Sequence, residues 1–332
     1  MHAPNFWYNS PQRPGFSARI LAPLGQIYGL ATAWRVARPA TLSPRCPVIC
    51  IGNLNAGGTG KTPTVIALLN MLIAAGRNPH VLSKGYGGTL TGPIRVDPAQ
   101  HRAEESGDEP LLLAAFAPTW VAKSRSAGVE AAQQAGADVI LLDDGFQDPS
   151  IKKTVSIVVV DAALGFGNGR CIPAGPLRET VPNGLRRADI LLSIGEQTAQ
   201  KIFARTWGPM VPCRQFTARL TPLQTGLDWS EGRYFAFAGI GQPEKFFTTL
   251  KRLGAHIVGT QPLGDHQILT PALLKRLQNQ AQALDAQLVT TEKDAVRLPQ
   301  AFKRDILTVP VRLEISELDA LQGYLLNALN RA

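Results

Sequence analysis

Eight consecutive residues, Asn55-Ala-Gly-Gly-Thr-Gly-Lys-Thr62, combine the side chains and the backbone freedom needed to hold a polyphosphate. Glycines let successive backbone N–H groups turn inward, a following helix adds partial positive charge at its N-terminus, and a lysine reaches the outer phosphates. Lys61 is the candidate for that lysine and the Thr62 hydroxyl for a magnesium ligand, with Asn55, Ala56, Gly57, Gly58, Thr59 and Gly60 forming the rest of the cradle. The common pattern G-x-x-x-x-G-K-[ST] has glycine where this chain has Asn55. Asparagine enters left-handed backbone space at modest cost, so the loop is expected to close. A chance glycine turn is the alternative. The apolar run Pro47–Asn53 before it and the helical pattern after it, with Pro63 tolerated in a first turn, favour a site for a nucleoside triphosphate.

Carboxylates follow where such a site needs them. The apolar stretch from Val139 ends in Asp143 and Asp144, followed by Gly145-Phe-Gln147. An apolar strand ending in aspartate, downstream of a phosphate loop, reads as the second half of a nucleotide–magnesium site; on its own an Asp-Asp-Gly turn would be ordinary. Asp108, in Gly107-Asp-Glu-Pro110, precedes the apolar run Leu111–Phe116, where capping a helix is the simpler role. Arg178 stands beside Glu179 at the end of Pro173-Ala-Gly-Pro-Leu-Arg-Glu179 and suits stabilisation of charge on a transferring phosphoryl group, with a surface ion pair as the plain alternative. Ser83-Lys-Gly-Tyr-Gly-Gly88 offers close backbone approach to a ligand, or merely a turn. His266 is a lone histidine, by itself a weak signal.

The elements that must position these residues alternate. Apolar or β-rich runs at 47–53, 79–83, 119–123, 138–142 and 156–161 are separated by helical stretches at 60–75, 109–116 and 124–136. This predicts an α/β fold, a P-loop NTPase-like parallel sheet with helices on both faces and ligands at the carboxyl ends of the strands. A second, smaller α/β unit is expected from about residue 226. Its strands fall at 234–238, 255–259 and 287–290, its helices at 243–253 and 271–284, and a last strand Ile306–Val311 precedes a helix ending at Asn330. The expected division is thus a segment 1–45, a nucleotide domain 46–225 and a smaller domain 226–332.

Residues 1–45 contain five arginines and no Asp or Glu, with frequent aromatics. Ile20, Leu24, Ile27, Ala31 and Trp34 recur at helical spacing. A basic amphipathic helix of this kind suits the surface of an anionic membrane, the alternative being a helix docked on the protein's own core. A spanning helix is disfavoured because the run is short and Pro23 and Gly25 interrupt it; a signal peptide is disfavoured because a strand and phosphate loop follow at once. The chain has 332 residues, 45% hydrophobic and 18% charged, and carries +9 net charge, which suits an anionic surface or a phosphorylated substrate. Its basic residues form no aromatic-interleaved stripe beyond the N-terminal segment, so a nucleic acid is not expected as partner. Cys46, Cys50, Cys171 and Cys213 form no CxxC pair; Cys46 and Cys50 bracket the first strand, and a reducing setting is the default.

As an ordered set these motifs resemble the tetraacyldisaccharide 4'-kinase family, over nearly the whole chain. The resemblance rests on Ile27-Tyr-Gly29, Gly52–Pro63, Ser83–Gly88, Gly107–Pro110, Asp143–Gln147, Phe166–Gly169, Pro173–Glu179, Ala238–Gly241, Asp265–Gln267 and Thr291-Glu-Lys-Asp-Ala295. It implies a magnesium- and ATP-dependent lipid kinase that phosphorylates the 4'-hydroxyl of tetraacyldisaccharide 1-phosphate in lipid A biosynthesis. The expected setting is the cytoplasmic face of the inner membrane, with the enzyme a monomer. It further implies that Asp108 is the general base, paired with His266 across the domain cleft. Lys61 and Arg178 would neutralise phosphates, and Thr62, Asp143 and Asp144, with Glu109 or Glu179, would surround magnesium. Asp148 stands where the family often has histidine, so no role carries to it. A membrane-associated switch ATPase or GTPase is the rival reading. Such ATPases carry an extra lysine where this chain has Ala56, and Thr291-Glu-Lys-Asp294 has the wrong order for guanine recognition.

Overall fold

A computed structural model describes residues 3–331. The run that opens the nucleotide motif forms β1 (Val48–Gly52), buried at every position. It is followed by β2 (Pro79–Ser83), β3 (Ile94–Arg95), β4 (Thr119–Val121), β5 (Val139–Asp143) and β6 (Val155–Asp161). Two further strands, β7 (Ile190–Ile194) and β8 (Arg214–Pro222), were not anticipated, and neither was β3. In the second unit lie β9 (Arg233–Ala238), β10 (His256–Pro262), β11 (Gln287–Thr291) and β12 (Ile306–Val309), and after Pro310 comes β13 (Val311–Ile315).

Among the described residues the larger sheet has nine strands in the order β13-β8-β7-β6-β1-β5-β2-β4-β3, parallel from β8 to β4, with antiparallel edge strands β13 and β3. Both faces are covered, so the central strands read as continuous apolar runs. Alternate residues feed two cores. Ile49, Ile51, Leu141 and Val159 pack on one face with Leu68 and Leu72 of the helix Lys61–Ala74, while Cys50, Leu142 and Val160 pack on the other with Val129, Phe166 and Trp207. Cys50 therefore lies inside the strand rather than at its end. The second sheet, β10-β9-β11-β12, is wholly parallel.

Ile306–Val311, expected as one strand, is two. Pro310 has no N–H for a sheet ladder and marks the switch: β12 ends the small sheet, while β13 pairs with β8 in the large one. The final helix Leu318–Asn330 then buries Leu321, Leu325 and Leu329 in the large unit's core. Residues 311–330, assigned to the second unit from sequence, thus lie on the first.

The N-terminal segment forms helices Phe16–Ile20 and Ala22–Val36. Pro23 sits in the first turn of the second, where it is tolerated, and Gly25 does not interrupt it. The small residues Gly25, Gly29 and Thr32 face inward, and a Cβ at Gly25 would stand 2.7 Å from the Cys171 carbonyl oxygen. Ile20, Leu24, Ile27, Ala31 and Trp34 are all exposed. The helix docks on the protein by its small face and presents its apolar face outward. Among the described residues no helix is long and apolar enough to cross a membrane.

Candidate active site

The phosphate loop joins β1 to the helix Lys61–Ala74 at the carboxyl edge of the sheet. The left-handed positions are Gly57 (φ 122°) and Gly60 (φ 92°), and Asn55 is not among them. Asn55 is instead held by a bridge to Leu177 and donates its amide to the Gly165 carbonyl at 3.0 Å, so its side chain braces the loop from behind. Ala56 N–H donates to the Pro176 carbonyl at 2.7 Å. Thr59 is buried and accepts from Asn53 at 3.1 Å, whereas Gly57 and Gly58 are exposed. Thr62 is half-buried in the first helical turn.

Lys61 Nζ lies 3.7 Å from Asp144 Oδ1, and Arg178 brackets the same carboxylate at 3.0 and 3.1 Å. Asp144 (φ 53°) takes up the left-handed turn at the end of β5. Burial would raise its pKa, but Lys61 and Arg178 outweigh that and hold it below the usual carboxylate range. Asp143 is buried beside Ser83, whose hydroxyl donates to Oδ2 at 3.3 Å, while Oδ1 has no hydrogen-bond partner. Burial, followed by the charge of Glu109, pushes Asp143 up to about 7. A buried carboxylate with an orphaned oxygen beside a phosphate loop fits a cation that replaces the proton. Among the described residues no group of three or more His, Cys, Asp or Glu side chains forms a metal cage. A nucleotide-borne magnesium requires fewer, since phosphates and waters fill most positions.

Glu109 and Glu179 stand differently. Glu179 is fully buried and taken by Arg187, whose Nη2 lies 2.7 Å from each oxygen, and by Gln147 at 3.0 Å. Glu109 accepts from Lys293 at 3.0 Å. The structure gathers Lys61, Thr62, Asp143, Asp144 and Arg178 around the loop; Glu179 is taken by Arg187, and Glu109, near enough for its charge to raise Asp143, is paired with Lys293.

Asp108 is the first residue of the helix Asp108–Leu113, after Gly107 (φ 87°). Its carboxylate faces the second unit, where His266 Nδ1 lies 3.1 Å from Oδ1 and 2.9 Å from Oδ2. Oδ2 has no aligned donor, and Arg297 Nε, 3.8 Å from it, has no aligned acceptor. Burial would raise Asp108, yet the hydrogen bond from His266 and the charges of Lys293 and Arg297 leave it lowered. The bond to Asp108 raises His266, against burial and Lys293. His266 (φ 57°) is held in its turn by its N–H to Gly239 O at 3.2 Å, while Arg297 donates to Gln267 O at 2.8 Å.

The second unit lies directly over the loop: a Cβ placed at Gly241 would stand 4.0 Å from Gly58 N. On the opposite flank Lys245 and Gln242 both reach Asp161 at the end of β6. Sequence reasoning assigned no role to Lys293, Arg297 or Arg125. The motif Thr291–Ala295 flagged the first. Arg125, buried and donating to Asp144 O at 2.6 Å and Asp148 at 2.7 Å, carried no signal.

Chemically, the arrangement sets a cationic phosphate cradle against an aspartate that an imidazole orients, with the two halves supplied by different units.

The family model described as Tetraacyldisaccharide-1-P 4'-kinase matches residues 17–330. A tetraacyldisaccharide 4'-kinase of Dinoroseobacter shibae is 58% identical over 326 residues, covering 98% of this chain and 97% of that protein. One of a Jannaschia species is 51% identical over 331 residues, with both chains covered completely. The crystal structure of LpxK from Aquifex aeolicus in complex with ATP superposes with a TM-score of 0.75 at 22% identity, covering 95% of this chain and 100% of that one. At that identity the likeness speaks for the fold.

Proposed function

The chain belongs to the tetraacyldisaccharide-1-P 4'-kinase family, and from that premise we propose that it moves the γ-phosphate of ATP to the 4'-hydroxyl of a tetraacylated disaccharide 1-phosphate. The observation that carries the reading is the pairing of Asp108 with His266 across the cleft, over a phosphate loop that ends in Lys61 and Thr62.

The hydroxyl oxygen attacks the γ-phosphorus, its proton passes to Asp108, the bond from phosphorus to the β-bridging oxygen breaks, and ADP leaves. A fixed base contributes typically ~10²–10⁴-fold to such a step. Lys61 and Arg178, which share Asp144 in the structure, turn to the phosphates and offset their charge. Asp143 and Thr62, with Asp144 once its cations are drawn away, would hold magnesium, which when bound neutralises the phosphate chain. We leave Glu109 and Glu179 out of that shell, because each already neutralises a cation of the protein. The second unit excludes water from the transfer, which limits loss of ATP to hydrolysis. Residues 46–310 supply both walls of the cleft. The exposed apolar face of Ala22–Val36, flanked by Arg19 and Arg35, rests on the anionic cytoplasmic surface of the inner membrane, where a monomer meets both lipid and ATP.

Transfer from γ-labelled ATP to tetraacyldisaccharide 1-phosphate in mixed micelles with magnesium tests this, with wild type beside His266→Ala. Labelled lipid from wild type, strongly reduced in the variant, is expected. Hydrolysis without labelled lipid would sink the kinase reading; transfer indifferent to His266 would sink the pairing.

A further inference from the structure

We infer that Lys293 is a positioning residue for this transfer: its ammonium, set against His266 Nε2, fixes the imidazole in the tautomer that carries its proton on Nδ1 and so donates to Asp108. The inference rests on Asp108 being the base.

Lys293 lies in the helix Glu292–Ala295, which follows β11 and is rigidly held. The Thr291 hydroxyl caps it by accepting from Asp294 N at 3.1 Å. Asp294 is fully buried, accepts from Gly239 N at 3.1 and 3.2 Å, and pairs with Arg297. From this base the Lys293 side chain, mostly covered, crosses to the first unit. Its Nζ is 3.0 Å from Glu109 Oε1 and 3.3 Å from His266 Nε2.

An ammonium has donors and no lone pair. Across 3.3 Å, Nε2 must therefore present its lone pair, which puts the ring's single proton on Nδ1. That proton points at Asp108, 2.9 Å from Oδ2 and 3.1 Å from Oδ1. The competing group is Asp265, whose Oδ1 lies 3.7 Å from Nε2 and would favour a proton there, but it is farther away and half exposed. Tyr86 offers only a ring edge, with centroids 6.0 Å apart, and Arg297 faces Asp108 rather than the imidazole.

The two states that Lys293 disfavours are the two that would spoil the base. With the proton on Nε2 alone, the Nδ1 lone pair would face the carboxylate and push it out of place. A doubly protonated ring would turn the contact into an ion pair and hold Asp108 in its charged form. Lys293 leaves an oriented but neutral donor. Glu109 keeps Lys293 in position, which gives this residue a use other than metal binding.

The test reads the tautomer directly, by long-range proton–nitrogen spectra of the full chain with nitrogen-15 in its five histidines, His266→Ala supplying the assignment. Wild type should show an unprotonated Nε2 and a protonated Nδ1 at His266. Lys293→Met should move the proton to Nε2 or protonate the ring. Its kcat should fall roughly tenfold or more, a share of what a fixed base supplies, with KM for ATP little changed. Lys293→Gln, which keeps a neutral donor, should recover the wild-type tautomer and much of kcat. A proton on Nε2 in wild type overturns the inference, and so does Lys293→Met with the wild-type tautomer, even if kcat falls. Should Lys293→Met not fold, the wild-type and Lys293→Gln spectra still decide. The spectra need no turnover, so a failed tautomer assignment stays distinct from a failed kinase reading, which the wild-type lipid assay reports.

Discussion

Asp143 concentrates the electrostatics of the site in one side chain. Buried beside Ser83, with one oxygen unpartnered, it binds its proton up to about 7. The folded protein therefore holds a proton that the unfolded chain releases near the ordinary aspartate value of ~3.9. Stability contributed by this group is full below that value and is lost as pH rises towards about 7. Asp144 and Asp108, both lowered, act oppositely and in another window: their contribution is present above the ordinary carboxylate range and is lost only in acid. In chelator and without nucleotide, the Tm of wild type should decline across the interval above pH ~4, and Asp143→Asn should flatten that decline and melt a few degrees higher at neutral pH. Magnesium with ATP should abolish the wild-type slope, since a cation then stands where the proton was. A variant whose melting tracks wild type throughout would remove Asp143 from this role. At this scale the chain was legible where position follows local rules: Lys61 and Thr62 open a helix after glycines, and Asp143 and Asp144 stand at a strand end. The partner of Glu109 was not, because Lys293 lies 184 residues away and nothing in the local sequence of either names the other.

Among the elements, the helix Ala22–Val36 inverts the usual expectation that a large apolar face turns inward. It packs through Gly25 and Gly29, where close backbone approach replaces side-chain volume, and leaves Ile27 and Trp34 64% and 69% exposed. Arg38 stacks on Trp34 at 4.2 Å, which places a cation at the rim of the apolar face. Such an arrangement suits an interface where one side is apolar and the other anionic. Ile27→Glu with Trp34→Glu should sharply reduce sedimentation with vesicles rich in anionic lipid. Melting temperature should stay nearly unchanged, as expected for exposed positions. Vesicle binding equal to wild type would dismiss this face as the membrane contact. Helical spacing in the sequence showed the stripe but not which way it pointed, since inward and outward apolar faces read alike. The small residues at Gly25, Gly29 and Thr32, four and three apart, were the signal for the docked side. Two inner strands of the large sheet were the other loss. β8 exposes alternate residues and carries arginines, and β7 is a five-residue run with little to separate it from neighbouring loops.

For the whole molecule, the decisive feature is that the chain does not finish in the unit where it last was. After β12 closes the small sheet, Pro310 turns it back, β13 pairs with β8, and the last helix seals one face of the large sheet. Sequence reading merged β12 and β13 because their residues form one β-rich run, although the proline inside it was the available warning. The return has a mechanical consequence. The small unit, which supplies His266 and Lys293, is tied to the large one at both of its ends, near Pro222 and Pro310, and Leu223 N–H donates to Pro310 O at 2.9 Å, joining the two crossings. Any opening of the cleft would hinge about that paired connection and would separate the contacts of Asp108 with His266 and of Asp161 with Lys245. Leu325 anchors the returning segment: it is fully buried in the last helix, in the core shared with β1 and the Lys61–Ala74 helix. Leu325→Ala should cost about 2–5 kcal/mol, the range for emptying a leucine site in a packed core. That loss should appear in the unfolding of the large unit, with hydrogen exchange accelerated in β1 and β13 and not first in β9 or β11. Exchange rising first in the small sheet would mean that the last helix belongs energetically with residues 226–310, as the sequence had it. Loss confined to the large unit would instead make the chain's last turns part of the nucleotide site's foundation.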